Sequence, residues 1–548
     1  MAANGSPRLL RTWVVPFVLL LGAAAALFLV SMAVDASTAP SPTAAWRLLV
    51  DPDPSVAREA LASAGEIVAA VLAIAITVVA IVVELAANRY THRITELFVA
   101  EPINFAVMGF FVVSALHAFW VTLVFDAPDG TQAPFVPWLG LHVAVGMLTA
   151  CLLLLLPYFA FVFAFLNPIH IVGRITSHTL RAIERGRGGT EARQREAVRG
   201  VEQLADVALN AMEHKDKGVS MASVGALRDL LLRYRALRER LPAAWFRLDG
   251  ALAANPDFVS MAPEVLEELG RRRVWFEMKV LRQYQTIYGE ALNRMRDINY
   301  VIAIHTRHVA EHALEARDEE LFELVLTFFN TYLRATINAR DVRTAYNVLN
   351  QYRLLGEAAL AHDEGRRAVA IARYFKYYGL LAYGARLPFV LETVAYDLCA
   401  LAEAAFDRAS PAAREILRIF LEVDKEGDGE EHEQSLRGVR KAQVKLATHY
   451  LAAGAVDLAR QIFRDMERER PERLASIRDE LLTVESRQFW EVSDRGVNFD
   501  YLPPERRAHL LDFFGWFEGL APPRSSIVAH VEPPGSPGRT AAGVEVRS

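Results

Sequence analysis

The sequence predicts an all-α protein: a four-helix transmembrane bundle at the N-terminal end, then a large cytoplasmic helical domain of solenoid or tetratricopeptide-like (TPR-like) character. Three observations predict it. Apolar residues make up 53% of the 548, against about 45–50% in soluble domains. The excess lies before Leu166. Beyond it the chain is rich in Arg and Glu, its apolar residues recur at helical spacing, and strand-like alternation with turn signals is nearly absent.

Four apolar stretches run approximately over residues 13–34, 67–87, 103–125 and 138–166. Each approaches or exceeds the ~20 residues that cross a hydrocarbon core of ~30 Å. The first follows Arg8 and Arg11 and precedes small residues around 33–36, as in a secretory signal. Its apolar core is long for a signal, so an uncleaved anchor is expected. Arg89 and Arg93 lie between the second and third spans, and Arg174, Arg181, Arg185 and Arg187 follow the fourth. The opposite side has only Arg47 and Arg58, among Asp35, Asp51, Asp53, Asp126 and Asp129. Positive charge stays inside, so both termini are expected in the cytoplasm. Trp13, Trp120 and Trp138 fall near span ends, where amphipathic rings settle.

Glu66 and Glu84 bracket the second span, eighteen residues apart, which is about 27 Å and five turns of helix. They share a face with Ala70, Ala73, Thr77 and Ala80, whose small side chains let a neighbouring helix approach. The stripe reads as a packing face with acids at both membrane surfaces; its rival reading is a cation or proton route. His117 in the third span and His142 in the fourth lie in the outer half of the bilayer, near the depth of Glu66. Ionisable groups there are expensive and mark functional candidates, although a neutral His bonded to an adjacent helix has the same appearance. Glu66, Glu84, His117 and His142 are the possible intramembrane polar site. The fourth span exceeds the length needed for crossing; it is expected to tilt, kink at Pro157 or continue beyond the membrane, and to end at Asn167-Pro168. Residues 171–199 form a basic juxtamembrane linker. Its Arg residues alternate with Glu184, Glu191 and Glu196, which suits either anionic headgroups or water. Gly186, Gly188 and Gly189 break the helix there.

The second and third spans with their connection, VELAANRYTHRITELFVAEPINFAVMGFFV, resemble a family of bacterial membrane proteins known as domain of unknown function 2254. FVPWLGLHVAV and IHIVGRI around the fourth span, and LADVALNAMEHKDKGVSMASVGALRDLL at 204–231, are similar as well. The resemblance covers roughly residues 10–290. Where the family usually has an Asn-Asp-Pro-like turn, this chain has Lys215-Asp216-Lys217-Gly218. The resemblance implies a multi-pass protein of the bacterial inner membrane and supplies no activity.

The cytoplasmic part divides into a first helical subdomain, 200–300, and a helical-repeat-like one, 301–520. Leu321, Leu324, Val325, Phe328, Tyr332 and Ala335 make one continuous stripe, and such stripes bury themselves helix on helix. In 440–471, Leu446, Tyr450, Gly454, Ala459, Phe463 and Pro471 stand at TPR spacing. Leu446 and Tyr450 are expected in the first helix, Gly454 in the turn, Ala459 at the crossing, Phe463 filling the gap and Pro471 stopping the second helix. The expected Trp of that pattern is Gln443. Residues 340–361 and 368–398 read as irregular helical pairs, which suits a stack with extended binding surfaces.

Asp424, Glu426, Asp428 and Gly429 imitate an EF-hand start, but the twelfth position is Ser435 where a bidentate Glu is needed. Asp424–Glu433 therefore reads as a solvated acidic loop. There is no P-loop, HExxH or GxSxG. Cys151 and Cys399 read as buried structural thiols. Residues 487–507, RQFWEVSDRGVNFDYLPPERR, read as a loop docked on the helical stack, and 521–548 as a disordered tail. A net charge of −5 argues against nucleic acid. No catalytic, cofactor or metal site is expected, and no enzyme. The expected protein is a membrane-anchored scaffold or sensor whose cytoplasmic domain binds a partner protein or itself, with membrane lipids around its spans. The alternative is an oligomeric ion channel or transporter component.

Overall fold

Every regular element among the described residues is helical. The computed structural model describes residues 6–38, 53–89, 95, 98–99, 101–124, 137–186, 189–362, 365–424, 430–489 and 494–523. The expected tail lies almost wholly outside them, as do Arg47, Arg93, Asp126, Asp129 and Arg187. The chain divides into two compact units, Met1–His178 and Thr179–Ser548.

The first unit contains α1 (Ser6–Thr38), α2 (Pro54–Arg89), α3 (Pro102–Val124) and α4 (Trp138–Phe165). Three of them, α2, α3 and α4, are long and apolar enough to cross a membrane, whereas the described apolar stretch of α1, Leu21–Val34, is shorter. Among the described residues, three of the four expected spans thus meet the length and composition of a membrane crossing. Proline opens α2 and α3, where its missing N–H costs nothing. Asp53 caps α2 by accepting the Ser55 amide at 2.9 Å, one of the orphan donors of a helix start.

Along α2 the buried residues are Ala57, Leu61, Ala64, Val68, Ala75, Val79, Val83 and Ala87, a helical stripe of alternating small and branched side chains. This stripe packs on α3 and α4. Ala57 and Leu61 meet Ala118, Leu141 and Ala144 in one cluster. Close approach explains one glycine: a Cβ on Gly140 would stand 2.9 Å from Val121. Lipid offers no hydrophobic drive for helix association, so small residues at the contact supply the packing. Cys151 and Tyr158 of α4 are buried, and large apolar side chains such as Phe105, Phe163 and Ile74 are exposed, as a lipid-facing surface requires. Pro157 sits inside α4. After Phe165 the helix stops; Asn167 accepts the Ile169 amide at 3.1 Å and Pro168 opens α5 (Pro168–Arg185).

The second unit begins within α5 and continues through α6 (Thr190–Glu213), α7 (Lys217–Arg238), a 3-10 turn (Ala243–Phe246), α8 (Gly250–Ala253) and α9 (Pro263–Arg271). Then follow α10 (Trp275–Arg294), α11 (Arg296–Glu315), α12 (Glu319–Asn338), α13 (Val342–Ala359), α14 (Arg366–Gly384), α15 (Pro388–Asp407) and α16 (Ala413–Leu421). The last are α17 (Glu430–Ala452), α18 (Val456–Met466), α19 (Pro471–Thr483) and α20 (Pro504–Phe514). Helices α7, α11, α13, α15 and α17 pack successively side by side in one layer; α6, α10, α12, α14 and α16 do the same in the other.

The joints of this stack have a common chemistry. Lys215, Arg273, Arg317, Arg340, Arg386 and Ala409 all have positive φ, and each sits in a helix-to-helix turn. In every one, the amides of that residue and the next reach back to the preceding helix in the Schellman pattern, as Lys215 to Met212 and Asp216 to Ala211. Asp216, Asp318 and Asp341 then cap the following helix by accepting the amides of Val219, Leu321 and Thr344. The Lys215-Asp216 turn is one of these joints. Aromatic residues fill the layers between. Trp245 lies 5.2 Å from Trp275 and gives its N–H to Tyr234 at 3.1 Å, while Tyr288 stacks on Tyr332 and Phe329 on Tyr352.

In the 440–471 segment Leu446, Tyr450 and Ala459 are fully buried, and Gly454, at φ +76°, forms the turn between α17 and α18. Two positions differ from expectation. Phe463 is half-buried and packs edge-on against Trp516 and Phe517, while Ile462 and Met466 take the inner positions. Helix α18 ends at Met466, so Pro471 opens α19 rather than stopping α18. Asp424 is not part of a solvated loop: it is buried and joined to Arg440 at 2.5 Å and Gln443 at 3.2 Å. Those two partners face it from α17, and the polar Gln443 follows from the charge it must satisfy. Residues 425–429 of the acidic segment lie outside the described residues.

Candidate functional site

The four intramembrane residues are placed separately. Glu66 and Glu84 are exposed on α2, together with Ala70, Ala73, Thr77 and Ala80. The stripe expected to pack is therefore turned away from α3 and α4, and the leucine- and valine-bearing face nearly half a turn away is buried instead. That face removes more apolar surface per helical turn than alanines and acids can. Thr77 gives its hydroxyl to Ala73 of its own helix at 2.8 Å. His117, half-buried, stands 3.3 Å from the Gly140 carbonyl, joining α3 to α4. His142 is exposed and bonds the Trp138 carbonyl one turn back at 2.8 Å. Among the described residues no hydrogen bond or ion pair joins these four side chains to one another.

A second cluster of polar groups lies in the second unit. Residues 494–503 form a return segment that runs over α13, α15 and α17. Asp494 accepts from Asn347 at 3.0 Å. Arg495 grips the buried carboxylate of Asp397 on α15 with two nitrogens, at 2.5 and 3.1 Å, and covers the Tyr346 ring at 4.1 Å. Arg353 of α13 reaches the same carboxylate at 3.3 Å. Further along, Phe499 stacks on Tyr396 at 4.5 Å, Asp500 accepts from the Tyr396 hydroxyl at 2.5 Å and from Lys441 at 2.8 Å, and Arg506 pairs with Glu403 at 2.7 Å. This is the docked loop read from residues 487–507; residues 490–493 are outside the described residues.

Between the return segment and the three helices lies a cavity of about 750 Å³. Its charged lining is five cations, Arg353, Lys445, Arg487, Arg495 and Arg506, against Asp397 and Glu403. Lys445 gives its ammonium to the Phe499 carbonyl and lies 5.4 Å from the Tyr396 ring centre. Burial pushes its pKa below the ordinary lysine value, because a buried ammonium loses hydration. The Cys399 thiol, 3.6 Å from Glu403, is pushed well above its usual pKa, by burial first and by that carboxylate second. It is thus a protonated thiol rather than a nucleophile. No cluster of three or more metal-binding side chains occurs among the described residues.

Sequence reading did not find this cavity. Its one signal was the alternation of charge and aromatic residues in RGVNFDYLPPERR, whose partners lie on α13, α15 and α17.

No curated protein and no solved structure matches the chain. The family resemblance, expected over roughly 10–290, is found over a shorter stretch that takes in the membrane helices, α5, α6 and the first turns of α7. Residues 10–222 match the model of the family described as predicted membrane protein, DUF2254.

Proposed function

We propose that the protein is a bacterial inner-membrane scaffold or sensor: a four-helix bundle with cytoplasmic termini holds a TPR-like helical stack that binds another protein or a second copy. The carrying observation is the layout of the second unit. Its helices lie in two successive layers rather than around one centre, and stacks of this kind offer extended surfaces to protein partners. At 33 residues, α1 is about 50 Å long, enough for a fourth crossing once its part before Leu21 is counted. Cytoplasmic placement follows from the asymmetry of Arg between connections. Crosslinking in cells followed by purification tests the reading. Specific partners should accompany the full chain and be lost from a chain ending at Leu166. Self-association alone, surviving that truncation, would contradict it.

One observation favours a second reading. Glu66 and Glu84 stand on a face of α2 that the helices of the same chain leave uncovered, so an ion path along it would form between copies. Glu66→Gln and Glu84→Gln should then abolish cation flux through reconstituted protein; unchanged flux, or none in the parent, removes this reading.

A further inference from the structure

We infer that the cavity between α13, α15, α17 and the return segment is a binding site for a small organic anion, one that carries a carboxylate or phosphate on a flat apolar body. The charge balance points to an anion, since cations outnumber carboxylates five to two along the wall. Pairing sharpens this. Asp397 is consumed by Arg495 and Arg353, and Glu403 by Arg506. Lys445 and Arg487 have no carboxylate within ion-pair reach among the described residues. Lys445 is also half-buried, so an arriving anion would meet it where screening is weaker than in open water. Tyr396 and Phe499, stacked on each other, and Tyr501 line the same space, and aromatic surface suits an aromatic body, edge to face as well as stacked. A volume of about 750 Å³ falls within the ~300–1,000 Å³ of small-molecule sites, and is larger than a bare inorganic ion would need. A metal cation is disfavoured by the same wall of guanidinium and ammonium groups.

About a third of the wall comes from the return segment and most of the rest from the helices, so a bound anion would join the two. The inference stands apart from partner binding. It needs neither a second protein nor a second copy, and its failure would leave the crosslinking result as it is.

Calorimetric titration of the full chain in lipid nanodiscs tests it, with phenyl phosphate, benzoate and inorganic phosphate as probes. At least one ring-bearing probe should bind saturably at millimolar concentration or below. Preference for phenyl phosphate or for benzoate then tells a phosphate from a carboxylate ligand. Lys445→Gln and Arg487→Gln should each weaken that binding by about tenfold, the loss expected for one charge-assisted contact, and Lys445→Arg should largely retain it. If Lys445→Gln does not fold, Arg487→Gln still reports, because Arg487 is an exposed residue at the rim. No saturable binding of either ring-bearing probe would overturn the inference. So would binding indifferent to Arg487→Gln, or inorganic phosphate binding as tightly as the preferred ring-bearing probe.

Discussion

Asp397 is 1% exposed, and two arginines hold it. Such a carboxylate cannot be neutralised without stranding its partners, because removing one member of a buried pair leaves the other charged and dry. Asp397→Asn should therefore cost about 3–5 kcal/mol, read by urea unfolding of the detergent-solubilised chain. His305 makes the opposite case. Burial first, then the neighbouring charges of Arg228 and His308, lower its pKa from 6.5 to about 4, and Asp229 only partly offsets them. The folded value lies below the unfolded one, so between them the unfolded chain binds the extra proton. Stability is complete above pH ~6.5 and is lost as the pH falls toward ~4. Replacing His305 by Gln should flatten this slope in unfolding midpoints measured across that range. Neither residue was singled out from the sequence. An Asp in VAYDLCALAE and a His in a polar helix look ordinary until residues from other elements, Arg495 and Arg353 for the one and Arg228 for the other, come against them.

At the scale of elements, the interhelix joints set the geometry of the stack. A non-glycine residue in the left-handed region carries a penalty of roughly 1–2 kcal/mol, which a glycine avoids at the cost of greater freedom in the unfolded chain. Lys215→Gly should therefore raise stability, by less than ~1 kcal/mol, and move the thermal midpoint upward. Gly200 is a tighter constraint. A Cβ there would collide with the Thr179 side chain, so α5 and α6 would have to separate. Gly200→Ala should cost about 1–3 kcal/mol by the same unfolding measurement. Helix existence was legible in the sequence, because apolar periodicity over long segments has few alternatives. The packing face of α2 was not. In an apolar span the lipid-facing and helix-facing sides are both hydrophobic, so periodicity carries little contrast, and spacing favoured the small-residue stripe over the Leu61–Val83 stripe that packs. The TPR-spaced residues were legible as buried positions at Leu446, Tyr450 and Ala459, and as a turn at Gly454. Phe463 and Pro471 were misread because their partners come from Trp516, Phe517 and α19, which the local pattern does not contain.

For the whole molecule, an apolar helical unit precedes a charged helical one, and composition alone made that division visible near Leu166. The cavity was invisible for the converse reason: its walls come from α13, α15, α17 and the return segment, brought together only by the stacking of layers. We propose that the first unit spans the membrane and leaves the second in the cytoplasm. Labelling of single introduced cysteines with a membrane-impermeant maleimide tests it most directly, and the buried Cys151 and Cys399 give little background. Ser55→Cys, at the exposed start of α2, should be labelled on intact spheroplasts, and Ser486→Cys in the exposed segment after α19 only after lysis. Labelling of Ser486→Cys from outside, or release of the chain from membranes by alkaline carbonate, would contradict the account.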